Sequence, residues 1–255
     1  MPVLRDWDLR IDVNQVMRSQ GADPFILRAR SPELLAIAQR AIAEGSGLLE
    51  PQLLFRRMRV ASVSHGRVKL EAGGEQCRRL PTQHFASAQE IIVILCTIGG
   101  GLEARVAEAM RIDPVYAMAL DGLGSAGVQA LATAGCQRFE LEARERGLEM
   151  SAPLSPGGPD WPVEQGQREV FRLLPADEIG VRLMPSWVMR PRKSLTMVVG
   201  VGTRMRDGGA CDYCSMHGTC RYQDLSPKTI TFGMSMSPSD SGRQGLITSL
   251  MPAQV

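Results

Sequence analysis

The chain has 255 residues, 44% of them hydrophobic and 22% charged, with a formal net charge of +2. That is enough for one large or two small units with a real core, and too little charge to mark nucleic acid or a membrane surface as a partner. No apolar run approaches the ~20 residues of a membrane-spanning helix, and MPVLRDWDLRID lacks the apolar centre of a secretory signal, so the cytoplasm is the expected compartment.

Residues 1–22 read as a short strand and then a helix capped at Asp12 or Asn14, with Val13, Val16 and Met17 on one face. Residues 32–45 pattern as a better helix. Pro32 takes the first position, Leu34, Leu35, Ala38, Ala41 and Ile42 form an apolar stripe, and Gly45 ends it. Residues 59–63 and 67–70 pattern as two strands about a His65-Gly66 turn. Residues 1–85 together read as an N-terminal helix and hairpin part.

Residues 90–112, EIIVILCTIGGGLEARVAEAMRI, begin with an unbroken apolar run at 91–95, which predicts a buried strand. Thr97-Ile98-Gly99-Gly100-Gly101 then leads into an amphipathic helix over 102–110. A strand, a glycine turn and a helix start can cradle an anion on free N–H groups. The glycine spacing fits neither the dinucleotide nor the P-loop motif, so a tight turn that lets helix and strand pack closely is the favoured reading. Residues 114–147 predict one long helix, or two broken near Ala134-Gly135. Gly122, Gly124, Ser125 and Gly127 leave one side of it almost bare. Each helical glycine costs about 0.5–1 kcal/mol relative to alanine, so another backbone is expected to approach closely there.

Residues 151–206 organise the rest. They open on the loop Ser155-Pro156-Gly157-Gly158-Pro159-Asp160-Trp161-Pro162. A helix from 164 to about 174, a strand at 179–183, the basic turn Arg190-Pro191-Arg192-Lys193-Ser194 and a strand at 195–201 follow. Prolines beside paired glycines fix some backbone angles and free others, and a shaped loop between regular elements is a common place for a ligand. Arg190, Arg192 and Lys193, with Arg204 and Arg206 after the last strand, read either as a solvated surface or as a docking point for a carboxylate or phosphate of a bound cofactor.

The segments SPGxxDWPxxxQ, FRLLPADEIGV, PSxxMxPRKSL and CTIGxxLE resemble the reactivation domain of cobalamin-dependent methionine synthase, and more closely the short free-standing proteins related to it. The resemblance covers roughly residues 8–203 and is densest over 90–201. It implies an α+β fold, a mainly antiparallel sheet with flanking helices, whose core spans 86–206. It also implies a pocket loop of Ser155, Pro156, Gly157, Gly158, Asp160 and Trp161, which in the family holds S-adenosylmethionine beside a corrinoid. This chain has Pro153 and Gly158 where the family has the Arg and Tyr that grip that cofactor. Where the family's long helix supplies an acid, this chain has Ser125, with Asp121 one turn earlier. The loop is kept while contacts to S-adenosylmethionine are lost. The implied partner is a corrinoid protein or methyltransferase subunit that carries the cobalamin; a second copy of the chain is a further partner left open.

Six cysteines in a chain expected in the cytoplasm argue against a disulfide framework. Cys77, Cys96 and Cys136 stand among apolar neighbours and read as small buried hydrophobes. Residues 207–223, DGGACDYCSMHGTCRYQ, are different: Cys211, Cys214 and Cys220 have the spacing C-x2-C-x5-C, and His217 lies three residues from both Cys214 and Cys220. Two thiolates two residues apart reach one metal from a single tight turn, which Gly208, Gly209 and Gly218 permit. Three thiolates and His217 would complete a tetrahedral zinc site. The same thiolates could hold an iron–sulfur cluster, the fourth ligand coming from elsewhere or absent, and a redox dithiol is a third reading. Spacing does not choose among these. The resemblance tips the choice to an iron–sulfur cluster, because reactivating an oxidised corrinoid needs a low-potential electron. Residues 224–255 predict a strand at 229–234 and a flexible polar stretch at 235–243. His65 and His84 stand alone, and no Ser-His-Asp or paired-carboxylate arrangement is present in the pattern.

Overall fold

The computed structural model describes residues 1–64, 67–71, 76–77, 80, 84–158 and 161–205. The architecture is α+β, as expected: a mainly antiparallel sheet with helices on both faces. Its first strands are β1 (Val3–Leu4), β2 (Gln52–Ser64), β3 (Arg67–Leu70) and β4 (Gln76–Cys77). The spine is β5 (Glu90–Thr97), in which every residue after Glu90 is buried. Strand β6 (Glu149–Met150) lies at one edge, the short pair β7 (Arg182–Leu183) and β8 (Met189–Arg190) forms a separate hairpin, and β9 (Ser194–Gly202) closes the set. The main sheet has the order β4-β3-β2-β5-β9-β6, with β1 added alongside β2. Gln52 faces Thr97 and Arg59 faces Glu90, while on the other side Glu90 faces Val201 and Thr97 faces Ser194. One sheet thus runs through the position that separates residues 1–85 from the 86–206 core in the sequence reading.

Strand alternation sorts β5 between two cores. Ile92, Ile94 and Cys96, with Leu53, Met197, Val199 and Val201, pack on one face against the helices. These are α1 (Val13–Ser19), α2 (Pro24–Arg30), α3 (Pro32–Gly45), α4 (Gly101–Ala109) and α5 (Pro114–Glu145). Ile91, Val93 and Leu95, with Leu54, Met58 and Val198, face α6 (Val163–Leu173) and the segment after it. A one-residue slip of β5 would exchange both sets, so two buried faces fix the register.

Local signals explain the helix ends. Asp12 caps α1: its carboxylate accepts from the Gln15 N–H while the Gln15 side chain accepts from the Asp12 N–H, a capping box. Pro32 and Pro114 occupy first-turn positions of α3 and α5, where no N–H is needed. Helix α5 is a single run of 32 residues, about 48 Å long at 1.5 Å per residue, with no break at Ala134-Gly135. Gly135 is there to admit Leu53 of β2.

The structure also redraws two predicted elements. The hairpin expected at 59–70 has a much longer first strand, beginning at Gln52. The strand expected at 179–183 is instead a 3-10 turn over Ala176–Ile179, followed by Gly180 at φ +68° and only two strand residues. The Gly180 N–H donates to Asp177 O and the Val181 N–H to Ala176 O. Those donors are spent closing the turn and cannot extend a ladder.

Candidate functional site

The proline–glycine loop leaves the sheet at Leu154, which exchanges both backbone hydrogen bonds with Val198 of β9. The chain then folds back on itself. The Gly158 N–H donates to Ser155 O at 3.0 Å, the Gly157 N–H to Trp161 O at 2.8 Å, and the Trp161 N–H to Gly158 O at 3.2 Å. Gly157 carries φ +95°, outside what a side chain tolerates easily. Ser155, Pro156 and Gly158 are half-buried and Gly157 is exposed. Trp161 is 1% exposed and sits in the α6-side core, against Gly166 of α6 beside Pro156. Its indole N–H has no acceptor among the described residues. Trp161 is therefore the anchor that seats the loop on α6. Asp160 lies outside the described residues.

The basic turn is tied to the other end of β5. Ser194 donates from its hydroxyl to Thr97 Oγ1 and stands 2.8 Å from Pro191 O, and the Ile98 N–H donates to Lys193 O. Glu103, in the first turn of α4, accepts from the Arg190 guanidinium at 2.8 Å and from the Arg192 N–H at 3.0 Å. An acid in that turn is also favoured by the helix dipole. The Arg192 side chain is exposed and makes no ion pair with a described residue.

Lys193 behaves differently. Its stem lies over Gly124 of α5, where a Cβ would stand 3.1 Å from Lys193 Cγ. Its ammonium reaches Asp121 Oδ1 at 2.8 Å and Ser125 Oγ at 2.8 Å. The two α5 residues that the resemblance sets beside a cofactor are thus both engaged by the chain's own lysine. The bare side of α5 is filled along its length: Val16 of α1 and Gln20 just after it approach Gly122, Lys193 covers Gly124, and Ile11, Leu49 and Ile98 meet Gly127. Lys193 packs on the helix-covered face of the sheet and Trp161 on the α6 face, so the ammonium and the loop anchor are on opposite sides.

Next to Glu103 opens a cleft of about 1140 Å³. Gly100 and Glu103 at the start of α4 form one wall, Phe171, Leu174 and the turn at 175–181 another, and the β7–β8 hairpin with Arg182, Arg190 and Pro191 the third. The lining mixes polar and apolar groups evenly, with Glu103, Asp177, Arg182 and Arg190 as its charged groups, a mixture that suits a ligand or a partner's side chains. The basic turn contributes Arg190 and Pro191 to it, and no described residue of 155–161 lines it. The sequence reading did not single this cleft out. Its only trace there is the strand expected at 179–183, part of which lines the cleft.

Cys96 is fully buried and Cys136 half-buried, with Cys136 Sγ 3.4 Å from Met197 Sδ. Burial pushes the Cys136 thiol up to about 12, with Glu140 adding to it, and raises Cys96 further. These are inert core thiols, as expected of them. Cys211, Cys214, Cys220 and His217, the predicted tail strand and Arg206 lie outside the described residues. Among the described residues no group of three or more His, Cys, Asp or Glu side chains could hold a metal, and no helix is long and apolar enough to cross a membrane.

These features define an α+β module with a shaped loop on one face and an open cleft at the carboxyl end of its central strand. No protein-family model matches the chain, and no curated protein matches it by sequence. Among solved structures it is similar to the MetH reactivation domain bound to AdoHcy, with a TM-score of 0.59 and 14% identity, over 84% of this chain and 83% of that one. At that identity the likeness is one of fold.

Proposed function

We propose that this chain is an accessory module of the reactivation-domain kind. It docks on a corrinoid protein or methyltransferase subunit and supports reductive reactivation or methyl transfer. In this reading Cys211, Cys214, Cys220 and His217 hold a metal centre, an iron–sulfur cluster with zinc as the alternative. Such a cluster would pass on an electron received from a separate reductant. The observation that carries the proposal is the fold shared along 84% of the chain with a domain solved with AdoHcy. The retained loop, seated by Trp161, supports it.

Within that proposal the engagement of Lys193 favours a second reading, a non-catalytic electron-transfer or assembly subunit with a degenerate S-adenosylmethionine pocket. Asp121 and Ser125 already satisfy a cation from the chain itself, and Pro153 and Gly158 offer no grip on a carboxylate.

Three measurements separate the possibilities. Protein purified without oxygen should be brown, with iron and sulfide in the metal analysis; a colourless protein with stoichiometric zinc sinks the cluster assignment. Cys214→Ser should lose most of the metal while its circular dichroism stays that of the parent, and full retention of metal would show the ligand set to be wrong. Calorimetry with S-adenosylmethionine then tests the pocket. A Kd below about 100 µM, near −5.5 kcal/mol, supports a binding module, and no detectable heat supports the subunit reading.

A further inference from the structure

Away from both the loop and the cleft, α1 and α2 enclose a small crevice of about 40 Å³, lined by Asn14, Arg18, Pro24, Phe25 and Arg28. Asn14 and Arg18 are four residues apart and share a face of α1, and Pro24, Phe25 and Arg28 share a face of α2. The two helices are bridged there by one hydrogen bond, from Arg28 Nη2 to Asn14 Oδ1 at 3.0 Å. The charges around it do not balance. No described carboxylate forms an ion pair with Arg18 or Arg28, and the Arg18 Nε is buried with no acceptor among the described residues. Asp23, the acid between the two helices in sequence, is occupied in capping α2 through the Phe25 and Ile26 N–H groups.

A buried guanidinium nitrogen without a partner is less stable than one that is bonded, so the site favours an incoming acceptor. Guanidinium forks match the paired oxygens of a carboxylate or phosphate. Beside the crevice, Phe25 is 75% exposed and Ile26 52% exposed, so an apolar surface borders the two guanidinium groups. We propose that the α1–α2 crevice is an oxyanion site: Arg18 and Arg28 take the anionic head, and the Phe25 ring covers a planar apolar body attached to it. This assignment does not depend on the corrinoid proposal.

The test uses the full chain, titrated at constant ionic strength with inorganic phosphate, phenyl phosphate and benzoate, and followed by calorimetry and amide chemical shifts. At least one of the two aryl anions should saturate below about 10 mM, with shifts centred on residues 14–28. Preference for phenyl phosphate over benzoate assigns a phosphoryl head, and the reverse order a carboxylate. Arg28→Gln should weaken binding about tenfold, the loss of one charge-assisted pair. Arg28→Lys, which keeps the charge but not the fork, should fall between. Phe25→Ser should weaken the aryl ligands and leave inorganic phosphate unchanged. Arg28 and Phe25 lie outside the main core, so both variants should keep the parent's circular dichroism. Absence of saturable binding by any of the three anions, or Arg28→Gln binding like the parent, overturns the assignment.

Discussion

Gly157→Val tests whether the loop is held in one shape by its backbone. Gly157 has φ +95°, a region in which a β-branched residue is a true outlier and sparsely populated conformations cost about 1–3 kcal/mol. A second cost comes from contact: a Cβ at this position would stand 3.0 Å from Val163 Cγ2. Val163 is 45% exposed and can turn away, so that contribution should stay below about 1 kcal/mol. The sum is a loss of about 1–4 kcal/mol, read from urea or guanidinium unfolding of the full chain. Two controls divide it. Gly157→Val combined with Val163→Ala should recover only the contact part. Gly158→Ala, at a residue without positive φ whose Cβ would lie 3.1 Å from Ser155 O, should cost no more than about 1 kcal/mol. If Gly157→Val costs less than about 0.5 kcal/mol, or if Val163→Ala restores all of the loss, the loop does not owe its shape to that backbone angle.

Lys193→Met keeps the stem over Gly124 and removes both bonds of the ammonium. The loss should be about 1 kcal/mol, because Asp121 is more than half exposed and an exposed pair is worth little, and it should exceed that of Asp121→Asn, which keeps the Ser125 contact. Equal stability of Lys193→Met and the parent in low salt would show that the amine contributes nothing. Cys96 and Cys136 should resist alkylation at pH 8 in the folded protein and react on unfolding; rapid labelling of either under native conditions contradicts their burial. Their raised pKa values also set a pH dependence. The folded state keeps the protons that the unfolded chain releases near the ordinary thiol value of about 9, so this stability is complete below about pH 9 and declines as pH rises from there towards 12. Unfolding free energy should fall less steeply between pH 8 and 10.5 in Cys136→Ala than in the parent, and identical slopes would refute the linkage.

How much of this could be read from the residues depends on how local the cause is. β5 announces itself because both of its faces are buried, which makes its apolar run unbroken. The caps at Asp12, Pro32 and Pro114 are short-range chemistry and fall where the pattern puts them. The failures have distant causes. β2 starts seven residues earlier than its pattern suggests because Leu53 and Leu54 point to different cores, so no alternation is visible until both partners are known. Gly135 looks like a helix break until Leu53 is seen to need the space. The stretch at 179–183 reads as a strand, but the turn before it consumes the donors of Gly180 and Val181. The loop was visible through its prolines and glycines. The cleft was not, because its walls come from three segments that only the fold brings together.

The fate of Lys193 bears most directly on mechanism. Read from the sequence, Arg190, Arg192 and Lys193 form one basic knot available to a cofactor's carboxylate or phosphate. In the fold they separate: Arg190 is held by Glu103 at the cleft, Arg192 is exposed, and Lys193 is drawn under the sheet's end onto α5. A ligand approaching the bare side of α5 would have to displace that lysine, whose side chain is only 17% exposed, and leave its ammonium without its carboxylate and hydroxyl. Breaking such a charged pair costs more than its formation gains. The glycines of α5 therefore serve the protein's own packing, and binding energy for anything external has to come from surfaces that remain open. Among the described residues near the sheet's end, these include the cleft beside Glu103 and the outer side of the loop at Gly157. If the chain assists a corrinoid protein, contact made through these two surfaces requires no internal pair to be broken, which is the physical ground for preferring docking over enclosure of a small cofactor.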